Sequence, residues 1–170
     1  MPLMIGKNNY DDTVARKEAT ILLGSLEVED IKPGHERAEV DLEGWRKGVI
    51  YGIEVGYTEV QPLDGMTDMP KRKWGNMRRA LGNPLITDRK VTMYPSNTMP
   101  WDRGIYVHFF HNYERVLLFS FTNLLTIDDN DPANIISRIV NGKKDDFVIV
   151  SIALATQEYK KGEDNSWQRV

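Results

Sequence analysis

The sequence predicts a mainly β fold, a β-sandwich or barrel-like arrangement of mostly antiparallel strands with two short helices, and three observations predict it. Apolar and polar residues alternate over several stretches, most fully at Val49, Tyr51, Ile53, Val55 and Tyr57. Turn residues separate these stretches at intervals typical of sheets, without the strand–helix alternation of a parallel α/β fold. Only two segments carry helix start and stop signals.

Taken in order, residues 1–18 read as an N-terminal arm. Its polar start, Gly6 to Asp12, has too little apolar content to hold itself and finds its place on a neighbouring subunit. Residues 19–170 read as one β-rich domain. Thr20–Ile31 alternates in part (Ile21, Leu23, Leu26, Val28) around Gly24-Ser25, the pattern of a strand with a bulge. Pro33-Gly34 turns the chain, Arg37–Leu42 alternates as a half-buried strand, and Glu43-Gly44 turns it again. Gly48–Val60 follows as a long central strand. A helix is expected at about 70–82, with Pro70 in its first turn, Gly82 past its end and Pro84 beyond. Trp74, Met77 and Leu81 form its apolar stripe. Leu85–Tyr94, Gly104–His111 and Arg115–Phe121 read as strands, with a proline-containing loop at 95–103. Asp131-Pro132 opens a second short helix to about Val140, burying Ile135, Ile136 and Ile139. Asp146–Glu158 is the last clear strand, and Gly162 to Asn165 turns the chain into Ser166–Val170.

Composition bounds the function. The chain has 170 residues, 41% hydrophobic and 28% charged, which is ordinary for a globular protein and unlike a disordered one. It has no cysteine, which excludes disulfides, thiolate metal sites and cysteine nucleophiles. No apolar run approaches the ~20 residues of a membrane span, and the N-terminus lacks the pattern of a signal peptide. A cytoplasmic product, with a place in a virion as a further expectation, and no membrane contact follow.

Charge is the most distinctive feature. Residues 70–90 hold seven basic residues, Lys71, Arg72, Lys73, Arg78, Arg79, Arg89 and Lys90, against Asp88, although the whole chain carries −3. A basic patch on an acidic body marks a surface for an anionic partner, either nucleic acid or the acidic face of another subunit. All seven are candidates for that interaction surface.

Candidate chemistry elsewhere is thin. His108 and His111 flank Phe109-Phe110, but i and i+3 on a strand face opposite sides, so they do not converge as zinc ligands; His35 belongs to a solvated turn. Asp128-Asp129-Asn130-Asp131 lacks the alternating ligands, glycine and terminal glutamate of a calcium loop. The acid pairs Asp11-Asp12 and Asp145-Asp146 lie in turns. Without a phosphate-binding loop, a nucleophile elbow or a metalloprotease helix, no catalytic residue, metal or cofactor is expected.

Residues 149–170 resemble one hairpin of the bacterial and mitochondrial single-stranded-DNA-binding proteins, in which a strand ending Leu-Ala-Thr passes through a charged turn into a Trp-x-Arg-Val strand. Leu154, Ala155, Thr156, Trp167, Arg169 and Val170 carry the resemblance. It implies an OB-type barrel, closed here with the N-terminal strands in permuted order. The expectation from the sequence is a non-enzymatic structural subunit of a symmetric homo-oligomeric assembly, a connector, tail or capsid-associated component of a phage or virus particle. The alternative is a single-stranded nucleic-acid-binding protein that uses the basic helix.

Overall fold

The computed structural model describes residues 5–6, 12–34, 40–58, 64–80, 104–110, 112–140 and 142–170. In chain order these form β1 (Ile5–Gly6), α1 (Asp12–Ser25), β2 (Glu29–Pro33), β3 (Leu42–Arg46), β4 (Val49–Thr58), β5 (Met66–Pro70) and α2 (Arg72–Ala80). Then come β6 (Ile105–Phe110), β7 (Arg115–Ser120), β8 (Ile135–Val140), β9 (Lys143–Ser151), β10 (Gln157–Lys161) and β11 (Trp167–Arg169). The protein is mainly β, as expected, and its strands form two mostly antiparallel sheets. One has seven strands in the order β11-β10-β7-β6-β4-β3-β2, the other four in the order β1-β8-β9-β5. Among the described residues, no helix is long and apolar enough to cross a membrane.

The period of two along β4 decides the layering. Ile53, Val55 and Tyr57 share a core with Val107 and Phe109 of β6, Val116 and Leu118 of β7, and Ala15, Ala19, Leu22 and Leu23 of α1. On the opposite face, Tyr106, Phe110, Leu117 and Phe119 meet Trp74, Met77 and Ala80 of α2 and Val148 and Val150 of β9. The seven-stranded sheet is therefore covered by α1 on one side and by α2 with the four-stranded sheet on the other. β4 pairs with β6 in parallel, from Ile53↔Ile105 to Thr58↔Phe110.

Several local expectations are corrected. The strand expected within Thr20–Ile31 is the second half of α1: Ala15, Ala19, Leu22 and Leu23 recur at helical spacing, and the alternation of Ile21 with Leu23 is accidental, since Ile21 is half exposed. This helix starts inside the segment read as an arm, and Glu27 at φ 68° ends it. Glu43-Gly44 lies inside β3, with Gly44 directly opposite Tyr51; a Cβ on Gly44 would sit 2.5 Å from Cγ1 of Val28, the residue before β2, so the glycine serves close packing. The turn is Lys47-Gly48, at φ 52° and 75°, the two left-handed residues of a tight hairpin.

Asp131 and Pro132 do start a helical turn, and the Asp131 carboxylate accepts from Ala133 N at 3.0 Å. It lasts only to Asn134. Ile135, Ile136, Ile139 and Val140 are β-branched, and they continue as β8 against β9. Asp145 and Asp146 consequently sit in a strand. The segment 149–170 does not form the hairpin of an OB barrel. β9 ends at Ser151 in the four-stranded sheet, a turn of 3-10 helix follows at Ile152–Leu154, and β10 and β11 join the other sheet.

Candidate active site

Glu54 is the only charged residue of β4, and alternation puts it on the face toward α2. It is 1% exposed. An isolated carboxylate there would be very costly, and α2 supplies its partner: Lys73 Nζ donates to Glu54 Oε2 at 2.5 Å. The same ammonium donates to Asp41 Oδ2 at 3.0 Å.

Asp41 stands just before β3, at the point where that strand parts from β4. Leu42 still pairs with Ile53, but the next amide of β4 on that edge, Val55 N–H, has no strand partner there. It donates instead to Asp41 Oδ2 at 2.9 Å. The aspartate thus caps the end of the ladder and is fixed beside Glu54. Its other oxygen, Oδ1, lies 3.5 Å from Arg16 Nη2 of α1. Position 56, two residues on from Glu54 on the same face, is glycine, and a Cβ there would come within 2.2 Å of the Tyr106 hydroxyl. No side chain from β4 fits beside Glu54, and the cation comes from the helix.

The electrostatics follow from burial and charge count. Burial pushes the Glu54 carboxyl up to about 7; Lys73 opposes that shift and Asp41 adds to it. For Lys73, burial works against the ammonium, but the two carboxylates outweigh it and hold the group above its ordinary 10.5. Two acids share one buried lysine, and the remaining charge is met only by Arg16 at 3.5 Å.

A second polar cluster joins the two sheets. Asp68 of β5 is ion-paired to Arg138 of β8 and accepts from the Thr58 hydroxyl at 3.4 Å. Burial pushes the Asp68 carboxyl up while Arg138 pulls it down. Beside it, Thr67 Oγ1 and His108 Nε2 are 2.9 Å apart. His108 is fully buried, and desolvation lowers it to about 3, so it is neutral and holds the sheets together.

Of the seven basic residues expected on one interaction surface, the side chains of Lys71, Arg72, Lys73 and Arg78 are described. Lys73 leaves the surface altogether. Arg78 forms a bidentate pair with Asp129 at 2.9 and 2.7 Å, and Asp129 is buried under it. Lys71 and Arg72 border an open groove with Lys144, Asp145 and Asp146, so its charge is mixed. The side chain of Arg79, and Leu81, Arg89, Lys90, His35, His111 and the segment 85–103, lie outside the described residues.

Asp41, Glu54 and Lys73 were missed as a site. The available signal was a single acid inside an otherwise apolar central strand, with a lysine at the helical position next to Trp74 and Met77. Among the described residues no three His, Cys, Asp or Glu side chains converge as metal ligands. Asp41 and Glu54 meet on Lys73 Nζ, and carboxylate oxygens of this kind suit a hard cation such as Mg²⁺ that completes its shell with water and substrate oxygens, and not zinc.

No family model matches the sequence, and no curated protein matches it either. A solved structure that the chain resembles is the Holliday junction resolvase Hjc of Archaeoglobus fulgidus, at 7% identity and a TM-score of 0.44, over 84% of this chain and 85% of that one. The expectations of a non-enzymatic phage or virus particle subunit, and of a simple single-strand-binding barrel, are corrected on this finding: the likeness reported is to a Holliday junction resolvase. At that TM-score the likeness carries no residue or activity across, and the chemistry is argued from this chain's own side chains.

Proposed function

We propose that this chain is a divalent-cation-dependent phosphodiester hydrolase acting on nucleic acid, with Asp41, Glu54 and Lys73 as its reacting groups. The observation that carries this reading is the convergence of two carboxylates on one buried lysine where β3 parts from β4. Buried charges that only stabilise a fold tend to be matched one to one. Here two acids share one buried lysine, with only the looser contact of Arg16 to balance the second, and burial raises the Glu54 carboxyl to about 7.

Asp41 and Glu54 would hold the cation, which supplies a Lewis acid for the phosphate oxygens and eases deprotonation of water. Lys73 lies in the floor of the site, where it neutralises negative charge that builds on the reacting phosphate and orients the attacking water. Its raised pKa keeps it charged through the neutral range, so it acts as a fixed cation and not as a base. Arg16, beside Asp41, gives the neighbourhood a cation of the kind a polyanionic substrate needs.

The test is cleavage of labelled DNA and RNA, single-stranded, duplex and branched, with MgCl₂ or MnCl₂ and with EDTA as control. Asp41→Asn, Glu54→Gln and Lys73→Met should each remove cleavage while the circular dichroism spectrum is kept. A parent protein inert on every substrate with both cations, or three variants as active as the parent, would sink the reading.

A further inference from the structure

We infer that Trp45, near the turn of the β3–β4 hairpin, is a platform on which a base of the bound nucleic acid stacks. The inference rests on the nucleic-acid reading above and deepens it by naming a substrate contact.

Of the tryptophans described, Trp74 is fully buried and Trp167 is half-buried with its ring 5.8 Å from that of Phe109, whereas Trp45 is 41% exposed. Among the described residues its indole has no hydrogen bond and no ring contact. Its place follows from register. Trp45 lies directly opposite Ile50, and positions 50, 52 and 54 share one face of β4, so Trp45 stands on the face that carries Glu54. From position 50 to Glu54 the strand runs about 13 Å, roughly four stacked base steps. The platform is also held firmly. Lys47 and Gly48 close the hairpin in one tight turn, and Arg46 Nε donates to the Leu26 carbonyl at 3.1 Å.

The neighbours select the ligand. Lys47 at the turn and Lys32, directly opposite Glu43 on β2, are exposed, and neither is ion-paired among the described residues. They offer charge to a phosphate backbone passing near the ring. Glu29, directly opposite Trp45, is exposed as well and repels a phosphate placed over the indole itself. The group that fits there is flat and uncharged, and a base meets that description. A lone exposed aromatic is ordinary on a protein surface. This one is set apart by a rigid strand, by two unpaired lysines beside it, and by its place on the sheet face of the proposed reacting groups.

The experiment uses the full chain in EDTA, which stops the proposed hydrolysis, and anisotropy of a fluorescein-labelled single-stranded oligonucleotide. Trp45→Ala should bind it about tenfold more weakly than the parent, the loss of one stacked base. Trp45→Phe should keep most of the affinity. The dependence of affinity on salt should not change, because no charge is removed. A strand of equal length built from abasic sugar-phosphate units should bind the parent and Trp45→Ala alike. Equal affinity of the parent and Trp45→Ala for the intact strand would overturn the inference. An equal loss on the intact and abasic strands would overturn it too and make Trp45 a structural residue. Cleavage by the parent with MgCl₂ is measured alongside. A cleaving parent with an indifferent Trp45→Ala sinks the inference alone. A parent that binds through Trp45 and cleaves nothing sinks only the hydrolase reading, and one that neither binds nor cleaves sinks both.

Discussion

Two clusters of buried charge lie along the α2-facing side of the seven-stranded sheet, and they are built to opposite specifications. Asp68 and Arg138 form a matched pair, one acid to one base, both under a tenth exposed, with Thr58 on one side and the Phe147 ring 5.6 Å from the guanidinium on the other. Asp41, Glu54 and Lys73 set two acids against one base, at the end of a strand pair, with a half-exposed arginine on the remaining oxygen. The first has every charge answered by a side chain of the protein and holds two sheets together. The second makes one buried base serve two acids and leaves the balance to an arginine at the edge, an arrangement more common at functional sites than in a sealed core.

That contrast can be broken in several places. The largest effect belongs to the matched pair: Asp68→Ala or Arg138→Ala leaves its partner buried and alone and should cost roughly 3–5 kcal/mol in a urea titration. If either costs under 1 kcal/mol, the pair is not sealed. At the open cluster, Glu54→Gln should lower cleavage by about 10²–10³-fold, roughly 3–4 kcal/mol of barrier, with the fold kept. Variants that unfold instead would make the cluster a second structural pair.

The pH dependence separates the clusters further. Glu54 binds its proton more tightly when folded, with the carboxyl at about 7 against an ordinary 4.5. Its stabilising contribution is complete below 4.5 and is lost as pH rises through 7, on the order of 3 kcal/mol without divalent cation. His108 runs the other way. Its pKa is depressed to about 3 from 6.5, so its contribution is present above 6.5 and is lost as pH falls. Subtracting the unfolding curve of Glu54→Gln from that of the parent between pH 4.5 and 8 should isolate the first slope. A flat difference would mean that Glu54 is ionised throughout. The smallest effect is at the rim of the groove, where Arg78→Ala should cost about 1–2 kcal/mol because Asp129 is left buried under a missing partner.

The sequence showed the strands better than the site. β4, β6 and β7 are apolar on both faces or strictly alternating, and such stretches resist misreading. The helix at 72–80 was marked by Pro70, and the turn at Asp131 by its capping side chain. Failures came where two periods fitted the same residues. Ile21 and Leu23 suit a strand, but Ala15, Ala19 and Leu22 suit a helix, and tertiary burial decides. Ile135, Ile136 and Ile139 suit a helical stripe until β9 offers a partner. The site failed for a different reason. Lys73 sits among six other cations and was counted with them, and nothing local says that its side chain turns inward. Asp41, Glu54 and Lys73 belong to three elements, so their meeting is a property of the layering and not of any short window.

The parallel pairing of β4 with β6 also bears on how the chain reaches its native state. The β3–β4, β6–β7 and β8–β9 pairs are hairpins closed by short turns and can form early. Joining β4 to β6 must wait for closure of the whole segment from Thr58 to Ile105, an entropic cost that local contacts do not offset in advance. Until that closure, one long edge of β4 is bare, and the strand that carries Glu54 is open to pairing with another copy of itself. The interval before the two hairpins join is thus when a newly made chain is most exposed to aggregation, and a chaperone that shields strand edges would act on this protein then.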